Sequence, residues 1–250
     1  MRQAFGWRAV IGYISPSHGM CADVELKKAA PAGVVFNRAT MLGPLGFSPE
    51  GVRVMLDQIE QATKMVALSG VDAIIQIGLP VGFLDGVGTD KKIIEIMEKT
   101  SGVPCTTQIT AVVHALRHLE ISKVIIVTGY FKEQTNKIFY KFIEDSGFKV
   151  VAGTDLGIDW HNAPDTSPYA YYRPSKLLYK QFPEAQGILI AGGNSLTDDV
   201  IGPLELDLGI PVITQNSAAL WHVLNMVEIK EVIPSLGRLL KSNDSGNSSR

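Results

Sequence analysis

Apolar runs of strand length alternate with longer amphipathic stretches almost from the first residues. Val10–Ile14 reads as a buried strand that runs into a turn-rich loop, Ser15-Pro16-Ser17-His18-Gly19. Gly33–Phe36 reads as a second strand, with Asn37-Arg38 in the loop beyond it. Ser48-Pro49-Glu50 supplies an N-cap, an N1 proline and an acidic first turn. The helix it opens carries Val52, Met55, Leu56, Ile59, Ala62 and Met65, mostly at helical spacing, and stops near Gly70. Ala73–Ile77 follows as a strand, then a helix over Lys91–Lys99, a short strand Pro104–Thr107 and a helix Ile109–Leu119. The same grammar then repeats: strand Lys123–Val127, helix Gln134–Asp145, strand Lys149–Ala152, helix Ser175–Phe182, strand Gly187–Ala191, a helix, strand Pro211–Thr214 and helix Ser217–Val227. The alternation predicts an α/β fold, with parallel sheets covered by helices on both faces.

The second run also repeats the first in sequence. Gly102-Val-Pro-Cys-Thr-Thr-Gln-Ile-Thr-Ala111 and Gly209-Ile-Pro-Val-Ile-Thr-Gln-Asn-Ser-Ala218 share five of ten residues. Ala73-Ile-Ile-Gln-Ile-Gly78 matches Gly187-Ile-Leu-Ile-Ala-Gly192 in pattern, and Val10–Ile14 matches Val124–Thr128. The expectation is two similar halves, residues 1–119 plus 216–240 and residues 120–215, followed by a disordered tail at 241–250. Such halves bring the carboxyl ends of their strands to a common cleft, where ligands bind in open sheets.

Composition narrows the function. Of 250 residues, 46% are hydrophobic and 19% charged, as in an ordinary globular protein. Lys plus Arg number 23 against 25 Asp plus Glu, so no basic excess exists to neutralise a phosphate backbone, and nucleic acid is not expected as a partner. Two cysteines, Cys21 and Cys105, exclude a disulfide framework and a cysteine-rich zinc site. Met1–Arg8 is too short and polar for a signal peptide, and no apolar run reaches membrane length. The expectation is a cytoplasmic protein with a small-molecule partner, no membrane and no cofactor; a homo-oligomer is left open.

The loops after the strands contain Ser15-Pro16-Ser17-His18, Asn37-Arg38, Gly78-Leu79-Pro80, Thr107-Gln108, Thr128-Gly129-Tyr130, Gly192-Gly193-Asn194-Ser195 and Thr214-Gln215-Asn216-Ser217. Hydroxyls, amides and glycine N–H groups dominate them and charges are few, an inventory that suits a small anion such as a carboxylate. No Gly-x-Gly-x-x-Gly or Walker loop is present, nor a Gly-x-Ser-x-Gly elbow. His114 and His118 share a helix face but lack a third ligand, so they read with His222 as packing or surface residues and no metal is expected. His18 and His161, in loops, are candidates for acid/base work. Cys105 falls at the wrong end of its strand, whereas Cys21 can reach the cleft. The aromatic run Tyr169, Tyr171 and Tyr172 reads as packing at a helix start, with a substrate-covering segment as the alternative.

Several of these segments, taken in order, carry a resemblance. Gly102-Val-Pro-Cys-Thr-Thr, Lys123-Val-Ile-Ile-Val-Thr-Gly-Tyr130, Gly187-Ile-Leu-Ile-Ala-Gly-Gly-Asn-Ser-Leu-Thr-Asp-Asp-Val-Ile201 and Leu208-Gly-Ile-Pro-Val212 resemble the arylmalonate decarboxylase and maleate isomerase family, within the aspartate/glutamate racemase superfamily. The resemblance implies two pseudo-symmetric Rossmann-like halves with the site between them. It also implies cofactor-independent chemistry on small carboxylates through an enolate or enediolate, or through a covalent succinyl adduct. The family's chemistry depends on cysteine at one or both of two symmetric strand ends, which here are Gly78 and Gly192. The decarboxylase's dioxyanion pocket uses Thr and Ser where this chain has Leu79 and Pro80. Its tyrosine is kept as Tyr130, and the proline of its first loop corresponds to Pro16. The resulting expectation is a lyase or isomerase acting through an enolate-like intermediate with a non-cysteine or displaced acid/base group. Tyr130, His18, His161 and Cys21 are the catalytic candidates. Ser15, Pro16, Ser17, Asn37, Gly78, Leu79, Pro80, Thr128, Gly129, Gly192, Gly193, Asn194 and Ser195 are the binding candidates. The alternatives are a hydrolase or carbon–nitrogen lyase on the same scaffold, or a retired carboxylate-binding protein.

Overall fold

The computed structural model describes residues 5–17, 19–43 and 48–241. Their eight strands form two four-stranded, all-parallel sheets. The first contains β1 (Ala9–Pro16), β2 (Val34–Met41), β3 (Ala73–Gln76) and β4 (Cys105–Thr107) in the order β2-β1-β3-β4. The second contains β5 (Lys123–Thr128), β6 (Lys149–Asp155), β7 (Gly187–Ala191) and β8 (Val212–Thr214) in the order β6-β5-β7-β8. The two orders are the same, and the register agrees with the internal repeat: Ile74 pairs with Cys105 and Ile188 with Val212, the positions that the repeated segments equate. The inner strands β1 and β7 are buried along their whole length, which is why they read as continuous apolar runs.

Ten helices accompany these strands among the described residues: α1 (Cys21–Ala29), α2 (Pro49–Leu56), α3 (Ile59–Ala67), α4 (Leu79–Phe83), α5 (Thr89–Ser101), α6 (Gln108–His118), α7 (Glu133–Asp145), α8 (Tyr172–Gln181), α9 (Ile201–Leu208) and α10 (Gln215–Met226). The main core runs through both sheets, from Tyr13 and Ile75 to Ile126, Ile190 and Leu220. Contacts across the halves hold the cleft in shape. Phe83 of α4 stacks on Phe139 of α7 with ring centroids 5.0 Å apart, and α6 packs along α10. Burial of one such phenylalanine contributes about 1.5–3 kcal/mol.

Several elements differ from the sequence reading. β2 does not stop at Phe36 but pairs with β1 as far as Pro16 and Met41, so Asn37 and Arg38 lie within an edge strand and not in a loop. Polar residues are tolerated there because an edge strand has one free side. The helix opened by Ser48 is two helices, broken at Asp57-Gln58, where the Gln58 amide bonds to Leu42 and Val54 backbone atoms. β6 extends to Asp155, and a 3₁₀ turn follows at Trp160–Asp165. α1 and α4 carry no strong periodic signal in the sequence. His18 and residues 242–250 of the expected tail lie outside the described residues. No helix among the described residues is long and apolar enough to cross a membrane.

Candidate functional site

The carboxyl ends of β1, β3, β5 and β7 meet at a cavity of ≈ 30 Å³ between the two sheets. Ser15 and Pro16 come from β1, and Gly78, Leu79 and Pro80 from the turn after β3. Tyr130 comes from the turn after β5, and Gly193 and Asn194 from the turn after β7. Ala22, Ile77, Phe131 and Trp160 complete a mostly apolar wall, with Gln215 as a further polar member. Gly78 has φ 108°, a conformation that L side chains rarely adopt, and an added Cβ would press on Pro16 at 3.2 Å. The backbone itself therefore requires glycine at that strand end.

Tyr130 is the polar centre of this wall. Its hydroxyl oxygen accepts the Asn194 N–H at 2.6 Å, a bond from the second strand-end loop to the first of the same half. Burial holds the phenol well above its usual pKa, so it stays protonated. Trp160 packs edge-on against the ring, with centroids 4.6 Å apart. Thr128 supports the turn from beneath. Its hydroxyl donates to Asp155 Oδ2 at 2.6 Å, and the same carboxylate oxygen accepts the Phe131 N–H at 2.9 Å. Thr128 is thus buried under the site and does not line it.

A buried chain of amides crosses the pseudo-dyad. Thr107 and Thr214 each cap their helix, α6 and α10, and the glutamine that follows each of them turns inward. The Gly78 N–H donates to Gln108 Oε1 at 2.8 Å, which fixes the orientation of that amide. Gln215 Nε2 then donates to the same oxygen at 3.2 Å, while Gln108 Nε2 donates to Asn216 Oδ1 at 2.9 Å. Asn216 Nδ2 donates to Glu25 Oε2 at 2.6 Å, and Glu25 Oε1 accepts the N–H groups of Thr197 and Asp198. Gln215 Oε1 is left buried, with no hydrogen-bond partner among the described residues.

The remaining candidates separate by position. Ser15 is buried and its hydroxyl accepts from Arg38 Nε at 2.9 Å; the same guanidinium donates to the Pro16 carbonyl at 3.0 Å. Ser17 is exposed and does not line the cavity. Asn37 points away, its amide donating to Ser69 Oγ at 2.7 Å, so the structure does not bring it to the cavity. Cys21 opens α1, one residue before cavity-lining Ala22, and burial pushes its thiol up to about 11. His161 is exposed, 3.3 Å from Asp159 through Nδ1. It lines a wider opening of ≈ 470 Å³ that shares Tyr130, Phe131 and Trp160 with the cavity. Among the described residues no group of three His, Cys, Asp or Glu is placed to hold a metal ion. His114 packs edge-on against His222, and His118 lies against Trp221.

Gly129 and Gly192 share one close neighbour, Tyr171. Thr128 pairs with Ala191, so these glycines are the first residues beyond two adjacent strands. The hydroxyl of Tyr171 fills the space that a Cβ on either would need, with the ring carbon Cζ 2.7 Å from such an atom on Gly192 and 3.2 Å from one on Gly129. Tyr171 is fully buried, and its hydroxyl donates to Ser195 Oγ at 3.1 Å. The sequence puts Gln108, Gln215, Asn216 and Arg38 in the strand-end loops suited to an anion without making them individual candidates, reads Tyr171 chiefly as helix-start packing, and does not single out Glu25. The identical Thr-Gln pair in both repeats was the available signal for the two glutamines; nothing local marked Tyr171.

Comparison with known proteins completes the description. The arylmalonate decarboxylase family matches residues 14–240. Arylmalonate decarboxylase of Bordetella bronchiseptica is 26% identical over 194 residues, covering 75% of this chain and 78% of that one. A maleate isomerase structure from Pseudomonas putida S16 with maleate superposes with a TM-score of 0.85 at 19% identity, covering 94% of this chain and 98% of that one. The maleate cis-trans isomerase of Nocardia farcinica, solved with a covalently bound succinylcysteine intermediate, gives a TM-score of 0.84 at 21% identity over 93% and 98% of the two chains. The two matched four-stranded parallel sheets, the cavity at their carboxyl ends and a family match over nearly the whole length agree: this chain belongs to the arylmalonate decarboxylase family.

Proposed function

We propose that the chain is a cofactor-independent decarboxylase or isomerase of a small carboxylate, working through an enolate-like intermediate with an acid/base group that is not a strand-end cysteine. The single observation that carries this reading is the Asn194 N–H donated to the Tyr130 oxygen at the wall of an apolar cavity. That bond makes the phenol a better hydrogen-bond donor, and its own hydrogen has no partner among the described residues. A substrate carboxylate that meets Tyr130 gains negative charge as an enediolate forms, so the bond strengthens toward the transition state. Ile77, Leu79, Pro80 and Phe131 offer no donors from their side chains, so a second carboxylate facing them is poorly solvated and leaves more readily as carbon dioxide.

The cavity takes the reacting end of the substrate; the rest extends past Trp160 into the wider opening. Aromatic walls favour an aryl or alkenyl substituent there, as the name of the Bordetella relative suggests. The covalent route of the Nocardia isomerase has less support here. Cys105 starts β4, at the far end of that strand from the cavity, and Cys21 is buried with a raised pKa. Tyr130 is assigned to the oxyanion, with Ser15, Pro16, Gly78, Leu79, Pro80, Gly193 and Asn194 around the substrate. His161 and Cys21 are placed at the margins of the substrate path.

The test is product analysis with dialysed protein offered 2-aryl- and 2-alkenylmalonates and maleate. The reading expects release of carbon dioxide, or cis–trans conversion, without added cofactor, and a loss of about 10²–10⁴-fold in Tyr130→Phe. Tight carboxylate binding with no turnover would make the chain a binding protein. Wild-type rates in Tyr130→Phe would remove the assignment.

A further inference from the structure

Among the described residues, the wall of the cavity carries no charged side chain; hydroxyls, amides, glycines and apolar groups line it throughout. An anion that leaves water for such a cavity needs a positive charge close by. Among the described residues, Arg38 is the cation that hydrogen-bonds to the wall. Its Nε–H donates to Ser15 Oγ at 2.9 Å, and its Nη2 donates to the Pro16 carbonyl at 3.0 Å. Both recipients line the cavity. We propose that Arg38 is a positioning residue that supplies this cavity with positive charge, delivered to the substrate carboxylate through the Ser15 hydroxyl. The inference rests on the carboxylate reading of the cavity and names the residues that set its preference for an anion.

Arg38 is placed for this role by the strand register. It stands on edge strand β2 directly opposite Tyr13 of β1, half-buried, with its guanidinium carbon 5.9 Å from the centre of the Tyr13 ring. Tyr13 is fully buried, so the ring holds the guanidinium plane at a fixed height beside the strand end. The nearby carboxylate is Asp23, and it is taken up by Lys27 at 2.9 Å and by the Tyr13 hydroxyl. Arg38 therefore makes no ion pair among the described residues, and its charge is not cancelled at contact distance.

Ser15 passes that charge on. It is buried in the wall, and in accepting the Arg38 N–H its hydroxyl keeps its own hydrogen, which has no acceptor among the described residues. A hydroxyl that accepts from a guanidinium is a stronger donor than a free one. The arrangement repeats in the first half what the Asn194 N–H does for Tyr130 in the second. Two polarised hydroxyls, one from each half, thus border the same cavity. The other arm of the guanidinium, on the Pro16 carbonyl, fixes the strand end that presses against Gly78.

The experiment measures Kd by calorimetry for an arylacetate and for the corresponding arylacetamide in wild type, Arg38→Met, Arg38→Lys, Ser15→Ala and Tyr130→Phe. The two ligands differ in charge and hardly in size. The ratio of their Kd values therefore reads the electrostatic contribution, and a general loosening of the site cancels from it. Arg38→Met and Ser15→Ala should each weaken arylacetate binding about 10–100-fold and arylacetamide binding less than about threefold. Arg38→Lys keeps the charge without the planar fork and should lose less of the ratio than Arg38→Met. If Arg38→Met fails to fold, Ser15→Ala carries the same readout, because it removes the hydroxyl and leaves the guanidinium in place. An unchanged ratio in folded Arg38→Met or in Ser15→Ala, or equal losses of the ratio in the two Arg38 variants, overturns this inference alone. Arylacetate binding that is absent in wild type, or indifferent to Tyr130→Phe, overturns the carboxylate reading and this inference with it.

Discussion

A single methyl group on Gly192 probes the contact on which the arrangement of the strand ends depends. In Gly192→Ala the new Cβ would stand 2.7 Å from Cζ and 3.1 Å from Cε1 of Tyr171, and closer still to its hydroxyl oxygen. The end of the ring must retreat by ~0.7 Å or more before ordinary carbon–carbon contact is restored. Tyr171 is fully buried and anchored at its backbone, so little free space receives that motion. Overpacking of this kind costs about 1–3 kcal/mol. For a chain of this size, about 2–4 °C of Tm accompanies each kcal/mol, so thermal denaturation should show a drop of about 2–12 °C. The assay is a double-mutant cycle with Tyr171→Leu, which removes the ring end. The cycle should return a coupling energy of about 1–3 kcal/mol, because the methyl group then meets no hydroxyl. Additive losses in the cycle, or a Gly192→Ala protein as stable as wild type, would refute the argument that Tyr171 is the reason for the glycine.

Three further outcomes are expected. Burial raises the Asp198 carboxyl, Glu25 adds to the effect, and burial raises Glu25 as well. A carboxyl with a raised folded pKa contributes stability below its unfolded value of about 4 and loses it as pH rises through the folded value. Asp198→Asn should therefore raise Tm more at pH 8 than at pH 5, and an equal or larger gain at pH 5 would contradict the assignment. Cys21, with a thiol at about 11, should react with iodoacetamide at pH 8 about 200-fold more slowly than a free cysteine from its thiolate fraction alone, as peptide mapping of the folded protein would show. Thr128→Val leaves Asp155 without its 2.6 Å donor and should cost about 1–3 kcal/mol in denaturant unfolding and raise KM, because the Tyr130–Phe131 turn loses its support.

Much of the fold is legible in the sequence because its elements obey local rules. Val10–Ile14 and Gly187–Ala191 are buried on both faces and read as strands from composition alone. The repeat around Pro104 and Pro211 predicts the equivalent strands β4 and β8. Failures occur where tertiary contacts override local pattern. Asn37 and Arg38 look like loop residues but continue an edge strand, because β1 supplies eight residues of pairing. The site is legible where it consists of strand-end residues: Ser15, Pro16, Gly78, Leu79, Pro80, Tyr130, Gly193 and Asn194 all reach one cavity. It is illegible where a residue arrives from elsewhere in the chain. Tyr171 lies before α8 in an unremarkable aromatic run, and only the packed structure sets its hydroxyl between Gly129 and Gly192. Glu25 is similar, an ordinary helix residue in the sequence that closes the chain of amides from Gly78.

The central claim is that a substrate carboxylate binds at Tyr130, in the cavity between the two sheets. A crystal structure of the protein soaked with a 2-arylsuccinate, which lacks two carboxylates on one carbon and so does not lose carbon dioxide, tests it most directly. The account predicts a carboxylate oxygen within hydrogen-bond distance of the Tyr130 hydroxyl, between Pro16 and Asn194, with the aromatic group beyond Trp160. A ligand seated wholly in the wider opening beside Lys132 and His161, with Tyr130 untouched, would contradict it.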